Sequence, residues 1–417
     1  MHPLQLLNEL ETEMDLPTVA PRDFPAVAVP NEPAIRLNPG AYPKSGLAPV
    51  SYRDYYYPHL SDVRWNDWRW QFRNRIATLE QWNRFFPLSV DERRDLRDVM
   101  REFRLGVTPY YLSLIDPDDS ADPMRLQSMP SAQEFVNLFS GDEDPLGEQS
   151  MSPVPGIVHR YPDRCLLIAT NSCAMYCRYC TRKRIMHEGD APADRAALKA
   201  MTDYIAKTPT IRDVIVSGGD PLTWSTARIE ELLRELRAIP HLEIIRFGSR
   251  VPVTLPQRIT RELCEMLERF GPIWINVHFN HPREVTADAA RACDLLLRHG
   301  VPLNNQTVLL RGVNDDAVTI RSLVHALMRI KVRPYYLYQC DRVAGADHFR
   351  TTIAKGLEII SQLRGHTSGL AVPNFAVDAP GGGGKVVLQP ENLISCENGL
   401  ARFRNFRGDV FEYRDPE

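Results

Sequence analysis

Between residues 165 and 377 the chain alternates two hydrophobic patterns. Short apolar runs bounded by turn residues predict strands at CLLIAT (165–170), DVIVSG (213–218), EIIRFGS (243–249), IWINVHF (273–279), VPLNNQTVLL (301–310), VRPYYLYQ (332–339) and AVPNFAVD (371–378). The segments between them, 192–206, 225–237, 257–270, 286–298, 315–330 and 347–364, read as amphipathic helices. Strand–helix alternation at this pitch predicts an α/β fold with a parallel sheet closed wholly or partly into a TIM-like (β/α) barrel. Such barrels carry their chemistry at the C-terminal ends of the strands. The unusual sequences fall there: a cysteine-rich loop follows the first strand, SGGDP the second, GSR the third, HFNHP the fourth, QCD the sixth and DAPGGGGK the last.

Upstream, residues 61–140 change to a helical pattern, with Trp65, Trp68, Phe72 and Ile76 on one face and arginines on the other. Aromatics interleaved with arginine can bind single-stranded nucleic acid, but helical spacing favours a packed aromatic stripe. Residues 17–49 are proline-rich without apolar periodicity, an extended or disordered leader. These shifts predict an arm over 1–52, a helical region over 53–150, the barrel over 151–380 and a C-terminal segment over 381–417.

The 417 residues, 43% hydrophobic and 25% charged, suffice for a large core. A net charge of −3 gives no bulk attraction to nucleic acid or anionic membrane. No run reaches the ~18 apolar residues of a membrane span, and the acidic N-terminus does not read as a signal peptide. The expectation is a cytoplasmic protein. Its eight cysteines, three of them clustered, do not form a disulfide framework.

The cluster is NSCAMYCRYC, which puts Cys173, Cys177 and Cys180 in C-x3-C-x2-C spacing. A closed site would need a fourth ligand. Three thiolates can hold three irons of a 4Fe–4S cluster and leave the fourth iron open. The alternative is a zinc site completed by His187 or a distant residue. The spacing resembles that of radical S-adenosylmethionine enzymes, in which the cofactor's amino and carboxylate groups take the open iron. Ser217, Gly218, Gly219 and Asp220 resemble the glycine-rich stretch that offers backbone atoms to that cofactor. At the far end of the barrel, Lys385 follows four glycines, whose backbone N–H groups could cradle a phosphate while the lysine pairs with it or forms a Schiff base. A Walker A loop is ruled out, because Val386 stands where Ser or Thr is required.

Taken together, the cysteine loop, PVPGIVHRYPDR, SGGDPL, LPQRIT, HFNHP, VLLRGVND, VRPYYLYQCD, HFRT, RGHTSG and VDAPGGGGK resemble the lysine 2,3-aminomutase family over about residues 53–413. The resemblance implies a radical S-adenosylmethionine barrel using a 4Fe–4S cluster, S-adenosylmethionine and pyridoxal 5′-phosphate. It makes Lys385 the catalytic lysine that carries pyridoxal phosphate, and puts Arg160 and Arg164 by the phosphate. It assigns S-adenosylmethionine contacts to Ser217, Gly218, Gly219, Asp220, His278 and Gln306. It assigns the substrate's carboxylate to Arg182 and its side-chain ammonium to Asp341 and Asp378. Lys183 and Arg184 have no assigned role and read as a solvated basic turn.

The activity implied is 2,3-migration of the α-amino group of lysine to give β-lysine. An arginine 2,3-aminomutase would use the same parts, and a non-catalytic iron–sulfur or zinc protein is the rival of another class. The implied partners are a small amino acid, an electron donor such as flavodoxin or ferredoxin, and further copies of the chain. In one respect the sequence departs from the family: Asp316 replaces the zinc-binding cysteine of clostridial-type relatives, and no cysteine cluster follows near the C-terminus. No zinc is expected.

Overall fold

The computed structural model describes residues 51–136, 141–186, 190 and 193–416. Most of the proline-rich arm, and His187, lie outside the described residues. Nine strands form one sheet in sequence order: β1 (Ile157–Tyr161), β2 (Arg164–Thr170), β3 (Asp213–Gly218), β4 (Ile244–Gly248), β5 (Ile273–Val277), β6 (Leu303–Leu309), β7 (Arg333–Gln339), β8 (Asn374–Ala379) and β9 (Gly384–Leu388). Neighbours from β2 to β8 pair in parallel, and β1 and β9 close each edge as antiparallel hairpins. The expected parallel barrel is present, and all seven predicted strands and six predicted helices have a counterpart. Three further strands, β10 (Leu393–Glu397), β11 (Leu400–Arg404) and β12 (Val410–Arg414), form a separate antiparallel sheet.

Strand alternation sorts the two faces of the barrel wall. Val214, Val216, Ile245, Phe247, Ile275 and Val277 are completely buried, while the intervening Ser217, Arg246, Gln306 and Tyr338 keep partial exposure. The apolar parity packs under the helices, and the polar parity lines the interior. The two sheet edges do not pair with each other among the described residues. Side chains bridge them: Tyr161 Oη accepts from the Lys385 backbone N–H at 2.9 Å, and Arg160 Nη1 lies 3.5 Å from Asp378 Oδ1. The barrel is nearly closed, and its seam includes Arg160 and Lys385, expected to hold pyridoxal phosphate, and Asp378, expected to hold the substrate.

The helical pattern after residue 61 resolves into short pieces, not one long helix. Ser61 caps Asp62–Trp65 and Asp67 caps Trp68–Arg73, so each capping side chain starts a new helix. The aromatic stripe packs as expected, with Trp65 and Ile76 buried in the main core and Trp68 and Phe72 against it. No helix among the described residues is long and apolar enough to cross a membrane.

Candidate active site

The cysteine loop lies at the C-terminal end of β2, against the end of β3. Gly219 N–H donates to the Thr170 carbonyl at 2.5 Å and Asp220 N–H to the Ser172 carbonyl at 2.8 Å. A side chain on Gly219 would meet the carbonyl carbons of Asn171 and Ser172 at 2.8 Å, and Gly218 has φ +118°. Glycine here allows the two loops to touch. The Asp220 carboxylate is near enough to Cys173 to help push that thiol's pKa up. It accepts from the backbone N–H groups of Leu222 (3.1 Å), Arg250 (2.7 Å) and Val251 (3.1 Å) and from Ser249 Oγ (2.8 Å), fixing the turn after β4. Burial raises its pKa to about 6 against those bonds. These bonds engage the Asp220 carboxylate within the protein.

That turn delivers Arg250, which reaches Cys177 through the interior. Its Nη1 donates to Cys177 Sγ at 2.9 Å, Nη2 to Glu284 Oε1 and Gln127 Oε1 at 2.7 Å each, and Nε to the His278 carbonyl at 3.1 Å. A second buried ion group lies beneath the same loop. Glu134 takes Arg178 through both oxygens at 2.9 and 2.7 Å and Lys183 Nζ at 3.0 Å. Lys183 is thus buried in an ion network. Arg184 pairs with Glu148 at 3.0 Å and Asp144 at 3.2 Å. Neither belongs to a solvated turn: the carboxylates that bury them come from 134–148, a distant part of the sequence.

The cysteines suit a cluster of several irons. Burial pushes the Cys173 and Cys180 thiols up, and the neighbouring cysteines add to it, so the three sulfurs share one locality. Among the described residues no three His, Cys, Asp or Glu side chains converge on a single-ion site. Arg250 and the Arg182 backbone N–H, 3.4 Å from Cys180 Sγ, supply donors to thiolate sulfur. His278, stacked on Tyr179 and 3.1 Å from its hydroxyl, is held neutral at a pKa of about 3 by burial and then by Arg250.

Across the barrel, Asp378 and Lys385 face each other in the β8–β9 register. Lys385 Nζ is 3.3 Å from Asp378 Oδ1 and 5.4 Å from the centre of the Tyr338 ring, whose hydroxyl accepts from Gln306 Nε2 at 3.5 Å. Asp341 follows β7, and its pKa rises to about 7, first through burial and then through Asp378; Lys385, Arg160 and Arg182 act the other way. The structure therefore brings Arg182, Asp341, Asp378, Arg160 and Lys385 into one electrostatic neighbourhood. Arg164 stands at its margin, paired to Asp163 at 3.1 Å and set over Tyr161. The residues fit pyridoxal phosphate. Arg160 has a buried Nε without a partner, Lys385 is exposed, and Gly381, Gly382 and Gly384 hold φ of 68°, 84° and 83° in the turn beside it.

Arg250, Glu284, Gln127, Glu134 and Glu148 carry no sequence motif; only GSR, standing at a strand's C-terminal end, marked one of them. Lysine at position 250 has three donors on one nitrogen and cannot span these four acceptors as the guanidinium fork does, so the contacts to Cys177 and to the buried Glu284 charge would not both be kept. Breaking a buried pair costs ~3–5 kcal/mol. Arg250→Lys is expected to lower both the urea midpoint and the iron bound per chain. Wild-type iron content and stability would remove Arg250 from the support of the loop.

Comparison with known proteins agrees with this geometry. The Radical SAM superfamily profile matches residues 167–323 and the Lysine-2,3-aminomutase C-terminal profile matches 360–417. The L-lysine 2,3-aminomutase of Acetoanaerobium sticklandii is 50% identical over 88% of this chain and 89% of its own length. That of Clostridium subterminale is 52% identical over 86% of each. The glutamate 2,3-aminomutase of Clostridioides difficile is 43% identical over 84% of this chain and 83% of its own. A cysteine loop at the mouth of a nearly closed barrel, a lysine beyond the last glycines and this extent of identity lead to one conclusion: the chain belongs to the lysine 2,3-aminomutase family of radical S-adenosylmethionine enzymes.

Proposed function

We propose that the protein is an L-lysine 2,3-aminomutase, moving the amino group of L-lysine from C2 to C3 to give β-lysine. The observation that carries the reading is a charge pattern: Asp341, just after β7, and Asp378, on β8, share one electrostatic neighbourhood with Arg182 and Lys385. An amino acid with a cationic side chain matches it. A glutamate side chain would meet two carboxylates and lose affinity.

Cys173, Cys177 and Cys180 would hold the 4Fe–4S cluster; Ser217, the backbone of Gly218–Asp220, His278 and Gln306 would hold S-adenosylmethionine; Lys385, Arg160 and Arg164 would hold pyridoxal phosphate. When bound, these groups supply one-electron activation of a carbon–hydrogen bond and a covalent anchor for the migrating nitrogen. The protein's own part is placement. Arg182 takes the carboxylate, whose planar fork it matches. Asp341 and Asp378 take the side-chain ammonium, and the ammonium offsets the repulsion between them. The reading brings with it a flavodoxin- or ferredoxin-type electron donor, a cytoplasmic location and a homo-oligomer. It divides the chain into an arm (1–52), a helical region (53–150), the barrel (151–380) and a C-terminal segment (381–417).

Two outcomes are expected. In an anaerobic assay with S-adenosylmethionine and a reductant, L-lysine is rearranged faster than L-arginine and L-glutamate is not; turnover fastest with either of the others contradicts the assignment. The second concerns pH. A carboxyl raised to about 7 is largely neutral below that pH and ionised above it, and a cationic substrate binds the ionised form. The apparent Michaelis constant for lysine should fall as pH rises through 7 and then level. Asp341→Asn should bind lysine more weakly and lose that slope; a slope kept in the variant would assign it to another group.

A further inference from the structure

Arg182, the residue assigned to the substrate's carboxylate, already has a carboxylate of its own. Glu148 Oε1 accepts from Arg182 Nε at 3.0 Å and from Nη2 at 2.7 Å, and Oε2 lies 3.1 Å from Nε. Arg184 Nη2 binds Oε2 at 3.0 Å. The Glu148 side chain is 4% exposed. Burial, the largest influence, raises its pKa, and the two guanidiniums together hold it below the usual range.

A guanidinium has two edges that can take a carboxylate as a fork, the side edge of Nε and Nη2 and the end edge of Nη1 and Nη2. Glu148 occupies the side edge. Among the described residues Nη1 keeps a single long hydrogen bond, 3.4 Å to Ser217 Oγ at the end of β3. We propose that Glu148 is a positioning residue: by holding the side edge of Arg182 it turns the end edge toward the barrel interior, where that edge takes the substrate's α-carboxylate. The inference rests on the reading of Arg182 given above.

The backbone around Glu148 links this arginine to the opposite end of the site. Asp144 Oδ1 accepts from Glu148 N–H at 3.0 Å and pairs with Arg184 at 3.2 Å. The Leu146 carbonyl takes Arg160 Nη2 at 2.5 Å. Asp142 bonds both ways with the loop after Asp341, to the Arg342 carbonyl at 2.9 Å and from Ala344 N–H at 3.0 Å. Gly147, with φ +61°, lies against Gly381 and Gly382 so closely that a Cβ would be 3.3 Å from each. One strap, 142–148, therefore touches the carboxylate's arginine, the loop of Asp341 and the glycine run before Lys385. It sets the carboxylate end of the site relative to the ammonium end.

The test compares L-lysine with 1,5-diaminopentane, which keeps both amino groups and lacks the carboxylate. Both are titrated calorimetrically into enzyme loaded with cluster and pyridoxal phosphate, and the diamine is also measured as an inhibitor. Glu148→Gln should weaken lysine binding about tenfold or more, leave the diamine's affinity unchanged, raise KM more than it lowers kcat, and keep iron and pyridoxal phosphate at wild-type content; Glu148→Asp should fall between. Equal weakening of both ligands, or loss of iron or pyridoxal phosphate in both variants, would make Glu148 a support of the loop and overturn the proposal. Arg182→Lys separates the two layers. If it leaves the lysine-to-diamine ratio at wild type, the reading of Arg182 fails and takes this inference with it. If it shifts the ratio while Glu148→Gln does not, the reading stands and the inference alone fails.

Discussion

A guanidinium shut away from water must find its counter-charges and acceptors inside the protein, and Arg250 meets that constraint by joining four parts of the chain. Only 8% of the residue is exposed. Its backbone is fixed by Asp220 after β3, and its side chain by Glu284 after β5, by Gln127 from the helical region and by Cys177. Without it the buried Glu284 carboxylate would lose its guanidinium counter-charge. The helical region is thereby tied to the barrel mouth: Tyr111 Oη reaches the same Glu284 oxygen at 2.7 Å, and Gln127 also accepts from Asn280 at 2.9 Å. The cysteine loop inherits its position from this network.

The same economy of charge recurs around the chamber. Glu134 neutralises Arg178 and Lys183 under the loop, and Glu148 neutralises Arg182 and Arg184 beside it. Asp378 rests between Arg160 and Lys385. Asp341 differs, since burial and Asp378 push it toward the neutral form more strongly than Lys385, Arg160 and Arg182 pull it the other way. Under the proposed reading, a substrate's ammonium group adds to these cations and favours the ionised form. Under that reading Arg182, though paired with Glu148, presents its remaining edge to the substrate's carboxylate.

The barrel was legible in the sequence because its strands are buried on alternate positions and separated by amphipathic helices, which leaves a strong periodic signal. β1 escaped because PGIVHRYPDR mixes proline and charge, and its place comes from pairing with β2. The β10–β12 sheet escaped for the opposite reason: LISCE, LARFR and VFEYR are largely exposed, so burial wrote no pattern into them. In the site, Cys173, Cys177, Cys180 and Lys385 were visible as chemistry held in short motifs. Arg250, Glu134 and Glu148 act through partners 34 to 123 residues away, and no local spacing announces them. The basic run after Cys180 was misread for Lys183 and Arg184 because their carboxylates are equally remote.

The claim at the centre of this account is that three thiolates, supported from behind by Arg250, leave one iron free for S-adenosylmethionine. Electron paramagnetic resonance of the anaerobically reconstituted, one-electron-reduced protein tests it directly. The account predicts a 4Fe–4S signal that changes shape when S-adenosylmethionine is added and is absent from Cys177→Ala. A reduced-cluster signal indifferent to S-adenosylmethionine, or one that survives in Cys177→Ala, would contradict it.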